Sequence, residues 1–432
     1  MSSERSFARL PGFRDFVPED FAVREHVFQS WRRVSRRYGF MEYDGPPLEP
    51  LDLYVEKSGP EIVGQLYNFV DKGGREVTLR PEMTPTLARV LADKSKGMAK
   101  PIRWFTCPQL FRYERQQRGR LKEHFQLNVD IVGEASPAAD AEVLAVAIDV
   151  LRDLGLGAED FAARVNDRRL VTAVLEAIGI GDDHKTDALA AIDKWGRMPV
   201  EKTRRLLHEA GVASPAVDRL QEILADPSWD AIEGRFRDMA AVREAMAPLS
   251  EHRRILEEMG LGAYVVFDFT IVRGLAYYTG IVFELFDRAG ELRAICGGGR
   301  YDRLLELVGG EPLPAVGFGM GDVVLTELLK DRTLLPVAPS AADLYLIWVD
   351  ENQRALAMEW AHRWREAGVR VLYGLRSQGV SKQLKAATRA GASRAVIIGP
   401  DEAEKNSATV RDLDSGSEEV HALADVPSAL AS

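Results

Sequence analysis

FRYERQQRGRLKEHFQLNVD, residues 111–130, is the stretch from which the rest of the chain can be read. Phe111 and Phe125 lie in apolar-flanked segments on either side of a basic loop, a pattern that predicts two strands joined as a hairpin. Arg112, Arg115, Arg118, Arg120 and Lys122 face only Glu114 and Glu123. Planar guanidinium forks suit phosphate, and carboxylates suit an amine or a ring N–H. A solvated charged hairpin would account for the arginines. It does not account for Gln126 and Asp130, which stand at i and i+4 and so share one face of an alternating strand.

Outward from the hairpin, the chain of 432 residues is long enough for about three domains. No apolar run reaches the roughly 20 residues of a membrane span. The start, MSSERSFARLPGF, has no apolar core of a secretory signal, so a cytoplasmic protein is expected. Cys107 and Cys296 are far apart, which argues against zinc or a disulfide framework and fits a reducing compartment. No metal-ligand spacing is present. Net charge is −10, yet residues 94–103 carry Lys94, Lys96, Lys100 and Arg103 without an acid. Residues 374–399 carry Arg376, Lys382, Lys385, Arg389 and Arg394, also without one. Such patches on an acidic protein steer a polyanion to chosen faces, unless they are merely solvated helix surface.

Residues 21–40 form an amphipathic helix with Val23, Val27, Phe28, Trp31 and Val34 on one stripe, ending at Gly39. Residues 74–81 alternate like a strand, and TLRPEMT (78–84) reads as an extended run with Arg80, Glu82 and Thr84 on one face. A helix is expected over 140–154. Residues 168–256 are Ala-, Leu- and charge-rich and read as a helical insertion. Strands return at 263–269, 279–286 and 291–299, and 321–331 closes as a helix. After a Pro-containing linker at 332–342 the pattern alternates: strands at 344–349, 369–374 and 394–399, helices at 352–367 and 379–391. That alternation predicts a parallel or mixed sheet of its own.

Two more segments complete the set: IVRGLAYYTGIVFE (271–284) and CGGGRYDRLLELVGG (296–310) followed by AVGFGMG (315–321). Their glycines permit close backbone approach to a ligand. Together with TLRPEMT and the hairpin, these segments resemble the class II aminoacyl-tRNA synthetases, and among them the histidyl-tRNA synthetase family. VRGLAYYTG and GGGRYD carry the resemblance most specifically, and it covers nearly the whole chain.

The resemblance implies an α+β catalytic domain with a mostly antiparallel sheet, made of residues 1–167 and 257–331. It also implies the helical insertion at 168–256 and a C-terminal α/β anticodon-binding domain at 343–432. Residues 21–47 look like the family's first motif, which builds a homodimer interface; 111–130 look like its second and 315–325 like its third. The implied activity is ATP-dependent attachment of histidine to its tRNA through a histidyl-adenylate, with Mg²⁺ arriving on ATP. In that reading Glu82, Thr84 and Gln126 hold the α-amino group, with Met83 beside them. Asp130 and Tyr278 bracket the imidazole, and Tyr277 and Tyr301 line its pocket. Arg112 and Arg273 grip the α-phosphate from two sides as the catalytic pair.

Three positions differ from the family pattern. Asp130 stands where Glu is usual, and His124–Phe125 reverses the usual Phe–His, so that His124 would meet adenine. Val324 stands where class II enzymes place an arginine. Arg303, in YDRLL, is expected to do part of that arginine's work, with Arg120 the other candidate for the γ-phosphate. The alternative reading is a catalytically silent paralogue, either the regulatory subunit of ATP phosphoribosyltransferase or a tRNA-binding module. The intact histidine-site residues and the C-terminal domain favour the synthetase.

Overall fold

A computed structural model describes residues 7–113, 119–195, 198–272, 278–337 and 340–430. They form two units, Met1–Pro336 and Val337–Ser432.

The first unit is built on a nine-stranded sheet. Across it run Met41–Glu42, Ile102–Thr106, Glu123–Val132, Ala315–Gly321, Cys296–Arg300, Ile281–Asp287, Phe161–Asp167 and Val265–Phe267, with Gln109–Phe111 pairing beside Glu123–Val132. The two outermost pairings are parallel and the inner ones antiparallel. Period-2 alternation gives the sheet two unlike faces. Leu127, Val129 and Ile131 pair in register with Met320, Phe318 and Val316, and all six are buried in one core. Helix Pro18–Arg37 supplies Val27, Trp31 and Val34 to that core, and Pro137–Asp153 supplies Leu144, Ile148 and Leu151. The first of these helices starts on Pro18 with Glu19 and Asp20 in its first turn and ends on Arg36 and Arg37, charges that complement its dipole.

On the other face the same strands present Gln126 and Asp130 opposite Gly321 and Gly317. At Gly317 the absence of a side chain is a steric necessity, and at Gly319 a side chain would press on Gln126. A methyl group on Gly317 would stand 2.1 Å from Asp130 Oδ1, and one on Gly319 would stand 2.8 Å from Gln126 Cδ.

Helices Arg168–Ala177 through Ala240–Glu258 are the helical segment expected from composition. Their Leu170, Val174, Leu220 and Leu256 belong to the same continuous core as the sheet. Three local expectations are corrected. The extended run at 78–84 ends early: the strand is Glu76–Leu79, and Thr84 opens the helix Thr84–Lys94 with Pro85 in its first turn. The strand expected at 291–299 begins only at Cys296, because Asp287 accepts from Glu291 N and Leu292 N and folds 288–295 into a turn. The strand at 263–269 is reduced to Val265–Phe267 behind a 3₁₀ turn, Gly262–Tyr264.

In the second unit the strand order is Val371–Tyr373, Leu344–Trp348, Arg394–Ile398, Ser407–Asp412, Glu418–Ala422. The first three are mutually parallel and the last two antiparallel, a mixed sheet. Helices Arg354–Glu366 and Val380–Arg389 are the two crossovers expected from the sequence. The antiparallel pair at its far edge is an addition to that expectation.

Candidate active site

The glycine-bearing face carries a cleft of about 680 Å³. Arg112, Arg120, His124, Gln126, Glu284, Arg293, Gly297, Gly319 and Val324 are among the residues that line it. That volume is in the range of small-molecule sites.

Strand register assembles the cleft. Gly319 pairs with Gly297, which pairs with Glu284, so the three lie in one cross-strand row. One row further along, Asp130, Gly317, Gly299 and Val282 align. Gln126 and Asp130 therefore lie on the same face roughly 13 Å apart. Tyr301, buried, donates its hydroxyl to Asp130 Oδ1. Tyr278 packs over Gly299, where a methyl group would stand 2.9 Å from its ring. It is held there by its neighbour Thr279, whose hydroxyl donates to Asp302 Oδ2 (2.7 Å) and whose N–H donates to Arg300 O (2.8 Å).

The turn at 80–83 is stapled to the hairpin. Phe111 N donates to Arg80 O (3.0 Å), and Arg112 Nε donates to Pro81 O (3.1 Å). Glu82 and Thr84 are half-buried there and Met83 is fully buried. Arg80 is a structural member of this turn: it donates to Asp44 Oδ1, Gly45 O and Gln109 O.

His124 and Phe125 point to opposite sides of their strand. His124 lines the cleft, whereas Phe125 packs edge-on against Phe16 and Phe28 with Arg24 stacked 5.0 Å away. Burial, followed by the neighbouring Arg112, Arg14 and Arg120, pushes the His124 imidazole down to about 3. It is therefore neutral at physiological pH.

Arg273 and Tyr277 fall outside the described residues, as do Arg115 and Arg118. Arg303 is described and is misplaced for its expected role. It is exposed at the start of the short helix Leu304–Leu307, beyond the end of the strand Cys296–Arg300 that points away from the cleft, and does not line it. The strand carries the chain away from Gly297 by about 3.3 Å per residue.

The structure adds residues that sequence reading passed over. Glu284 is the polar interruption in the apolar run IVFELF, and it faces the cleft. Arg293 enters from the turn that Asp287 folds. Asp322, buried at the head of helix Asp322–Asp331, accepts from Phe125 N (2.9 Å) and from Arg14 Nη1 (2.8 Å). Arg14 also donates to Glu123 (2.7 Å), so one guanidinium ties that helix to the hairpin. Arg300 of GGGRYD is likewise structural: it grips Asp140 on helix Pro137–Asp153.

The two acid-free basic runs have different fates. Lys96 and Arg103 pair with Glu311 and Glu142, and Lys100 donates to Met98 O. In the second unit Arg376, Lys382, Lys385 and Arg389 are exposed, while Arg394 pairs with Asp412.

A largely antiparallel sheet with an arginine-lined cleft on its glycine face, followed by a separate five-stranded α/β unit, is the architecture of a class II aminoacyl-tRNA synthetase. A histidyl-tRNA synthetase family profile matches residues 12–322, and an anticodon-binding-domain profile matches 337–432. The histidine–tRNA ligase of Opitutus terrae is 42% identical, with 94% of each chain covered. The chloroplastic/mitochondrial histidine–tRNA ligase of Arabidopsis thaliana is 40% identical over 94% of this chain and 83% of its own. The chain belongs to the histidyl-tRNA synthetase family. Its fold matches that of a crystal structure of histidyl-tRNA synthetase from Nostoc sp., with a TM-score of 0.84, 99% of both chains covered and 23% identity. A Bacillus halodurans structure, described as an ATP phosphoribosyltransferase regulatory subunit/histidyl-tRNA synthetase, also shares it, with a TM-score of 0.76, 24% identity and 92% of this chain covered. That likeness reports the fold alone.

Proposed function

We propose that this chain activates histidine with ATP and transfers it to tRNA. The observation that supports this most directly is the register that sets Gln126 and Asp130 on one glycine-floored face, with arginines at one end of it. Glu82, Thr84 and Gln126 would hold the α-amino group, with Met83 packed behind them. Asp130 and Tyr278 would bracket the imidazole, with Tyr277 and Tyr301 lining it and Tyr301 fixing the carboxylate.

Arg112 and Arg273 would neutralise the α-phosphate as a carboxylate oxygen of histidine attacks phosphorus and the bond to pyrophosphate breaks. Charge neutralisation and alignment suffice for such a step, and no protein nucleophile is required. Arg120 would meet the distal phosphates, and the neutral His124 the adenine. The terminal ribose hydroxyl of tRNA then attacks the activated carbonyl, releasing AMP. Mg²⁺ usually keeps several waters and binds through one or two carboxylates plus phosphate oxygens. Glu284, a carboxylate in the cleft lining, fits that requirement. Mg²⁺ bound with ATP would offset phosphate charge.

The test is exchange of labelled pyrophosphate into ATP without tRNA. Exchange is expected with histidine and with no other amino acid. Histidine binding without exchange would support the silent paralogue instead.

Two further parts belong to this proposal. The first is a homodimer. Asn68–Val70 is the edge of a three-stranded sheet, and Phe69 and Val70 are 52% and 62% exposed, with Met41 and Leu48 also exposed. An exposed apolar edge strand is a ready pairing site for a second copy. Replacing Phe69 and Val70 together by lysine is expected to halve the mass seen by sedimentation equilibrium; an unchanged mass refutes this interface. The second is a cytosolic location. Its support is the pair of cysteines, Cys107 and Cys296, which stand far apart in the chain with no paired spacing, as suits a reducing compartment.

A further inference from the structure

We propose that Arg293 binds the β- and γ-phosphates of ATP, supplying from a turn the cation that helix Asp322–Asp331 lacks at Val324. The assignment rests on the synthetase reading above.

Three segments meet at one point of the cleft wall. A methyl group built on Gly119, in the hairpin loop, would stand 3.3 Å from Val324 Cγ2 and 3.8 Å from Arg293 Cδ. The Arg293 stem and Val324 therefore both approach the same point of the hairpin loop, and both line the cleft with Arg112 and Arg120. A guanidinium planted there covers the space that an arginine on the helix would have filled. The polyphosphate of ATP needs several cations; Arg112 is tied through its Nε to Pro81 O, and Arg293 and Arg120 line the same cleft.

The turn that carries Arg293 is held at both ends. Asp287, buried, accepts from Glu291 N and Leu292 N, each at 3.1 Å, and Ile295 N donates to Leu285 O (2.8 Å). Leu292 packs against the main core. The backbone is thereby fixed on each side of Arg293, while its long side chain is exposed over the cleft. A positioned backbone with a long fork at the cleft is suited to a ligand that enters and leaves on every turnover. Glycine at position 119, with φ +74°, lets the hairpin loop come close without a side chain between Val324 and Arg293.

The experiment compares the full-length chain with Arg293→Ala and Arg293→Lys in pyrophosphate exchange. Exchange by the parent is the control for the synthetase reading itself; its absence would fail that reading and not this one. With an active parent, Arg293→Ala is expected to raise KM for ATP and for pyrophosphate about 10- to 100-fold, the usual cost of losing hydrogen bonds to a charged group. KM for histidine and affinity for a non-hydrolysable histidyl-adenylate analogue, which lacks those phosphates, should stay within about twofold. Arg293→Lys should recover part of the loss, since a point charge replaces the fork. Unchanged KM values for ATP and pyrophosphate in Arg293→Ala would overturn the proposal. So would an equal loss for the adenylate analogue, which would put Arg293 on the base or the α-phosphate.

Discussion

Gly317→Ala is expected to abolish histidine-dependent exchange, with a fall of at least about 100-fold, in a chain that still folds. The added methyl group would lie 2.1 Å from Asp130 Oδ1, 2.7 Å from Val129 O and 2.8 Å from the Tyr301 hydroxyl. Gly317 is fixed by pairing with Asp130 on one side and Gly299 on the other, so the strand has no room to move aside. The Val129 carbonyl and the Asp130 and Tyr301 side chains must give way instead, and those two side chains are the ones that would read the imidazole. Overpacking of this kind costs about 1–3 kcal/mol of stability. Misplacing a positioning group by about 1 Å costs roughly 10²-fold in rate. Gly319→Ala is the graded comparison, because its methyl group would press on the movable end of Gln126 at 2.8–3.0 Å. A smaller rise in KM for histidine is expected there. Exchange rates and thermal melting measured on both variants decide the matter. Gly317→Ala within tenfold of the parent would remove Asp130 from the proposed histidine pocket.

Ending the chain after Pro336 is expected to spare adenylate formation and to lower tRNA charging by roughly two orders of magnitude. Each unit has its own core: Trp31, Leu144 and Phe318 in the first, Leu346, Trp364 and Val396 in the second. The lost unit carries Lys382, Lys385 and Arg389 at spacings of three and four, one face of helix Val380–Arg389, with the exposed Arg376 just before it. Those are phosphate-contacting residue types at a spacing that follows a backbone. If all four engage tRNA, the slope of log binding constant against log salt should become shallower by about 3–4. Replacing the four by alanine in the full-length chain separates charge from bulk. Normal charging by residues 1–336 would refute anticodon binding by this unit.

Much of this was legible from the chain. The hairpin was readable because its two strands are neighbours in sequence, and alternation is a local property. The same holds for the strand–helix–strand pattern of the C-terminal unit and for Gln126 and Asp130 sharing a face. Glycine at alternate positions of AVGFGMG, with Val316, Phe318 and Met320 between, already encodes one face for packing and one for a ligand.

What sequence could not decide depended on segments far apart in the chain. Arg303 sits only six residues beyond Gly297, a separation that predicts a place near the cleft, but the strand between them carries it away. Arg293, before that strand, is brought to Val324 by a turn that a single buried carboxylate, Asp287, folds. Thr84 begins a helix because Pro85 suits a first turn, although the residues before it alternate like a strand. Arg14 and Asp322 are separated by 308 positions and meet only because the hairpin lies between them. The sequence by itself determined which residue types face a ligand and which face the core, since that follows from the period of each strand. Tertiary structure alone decided which of the many arginines surround the cleft, because register across non-local strands and the folding of one turn set where each guanidinium ends.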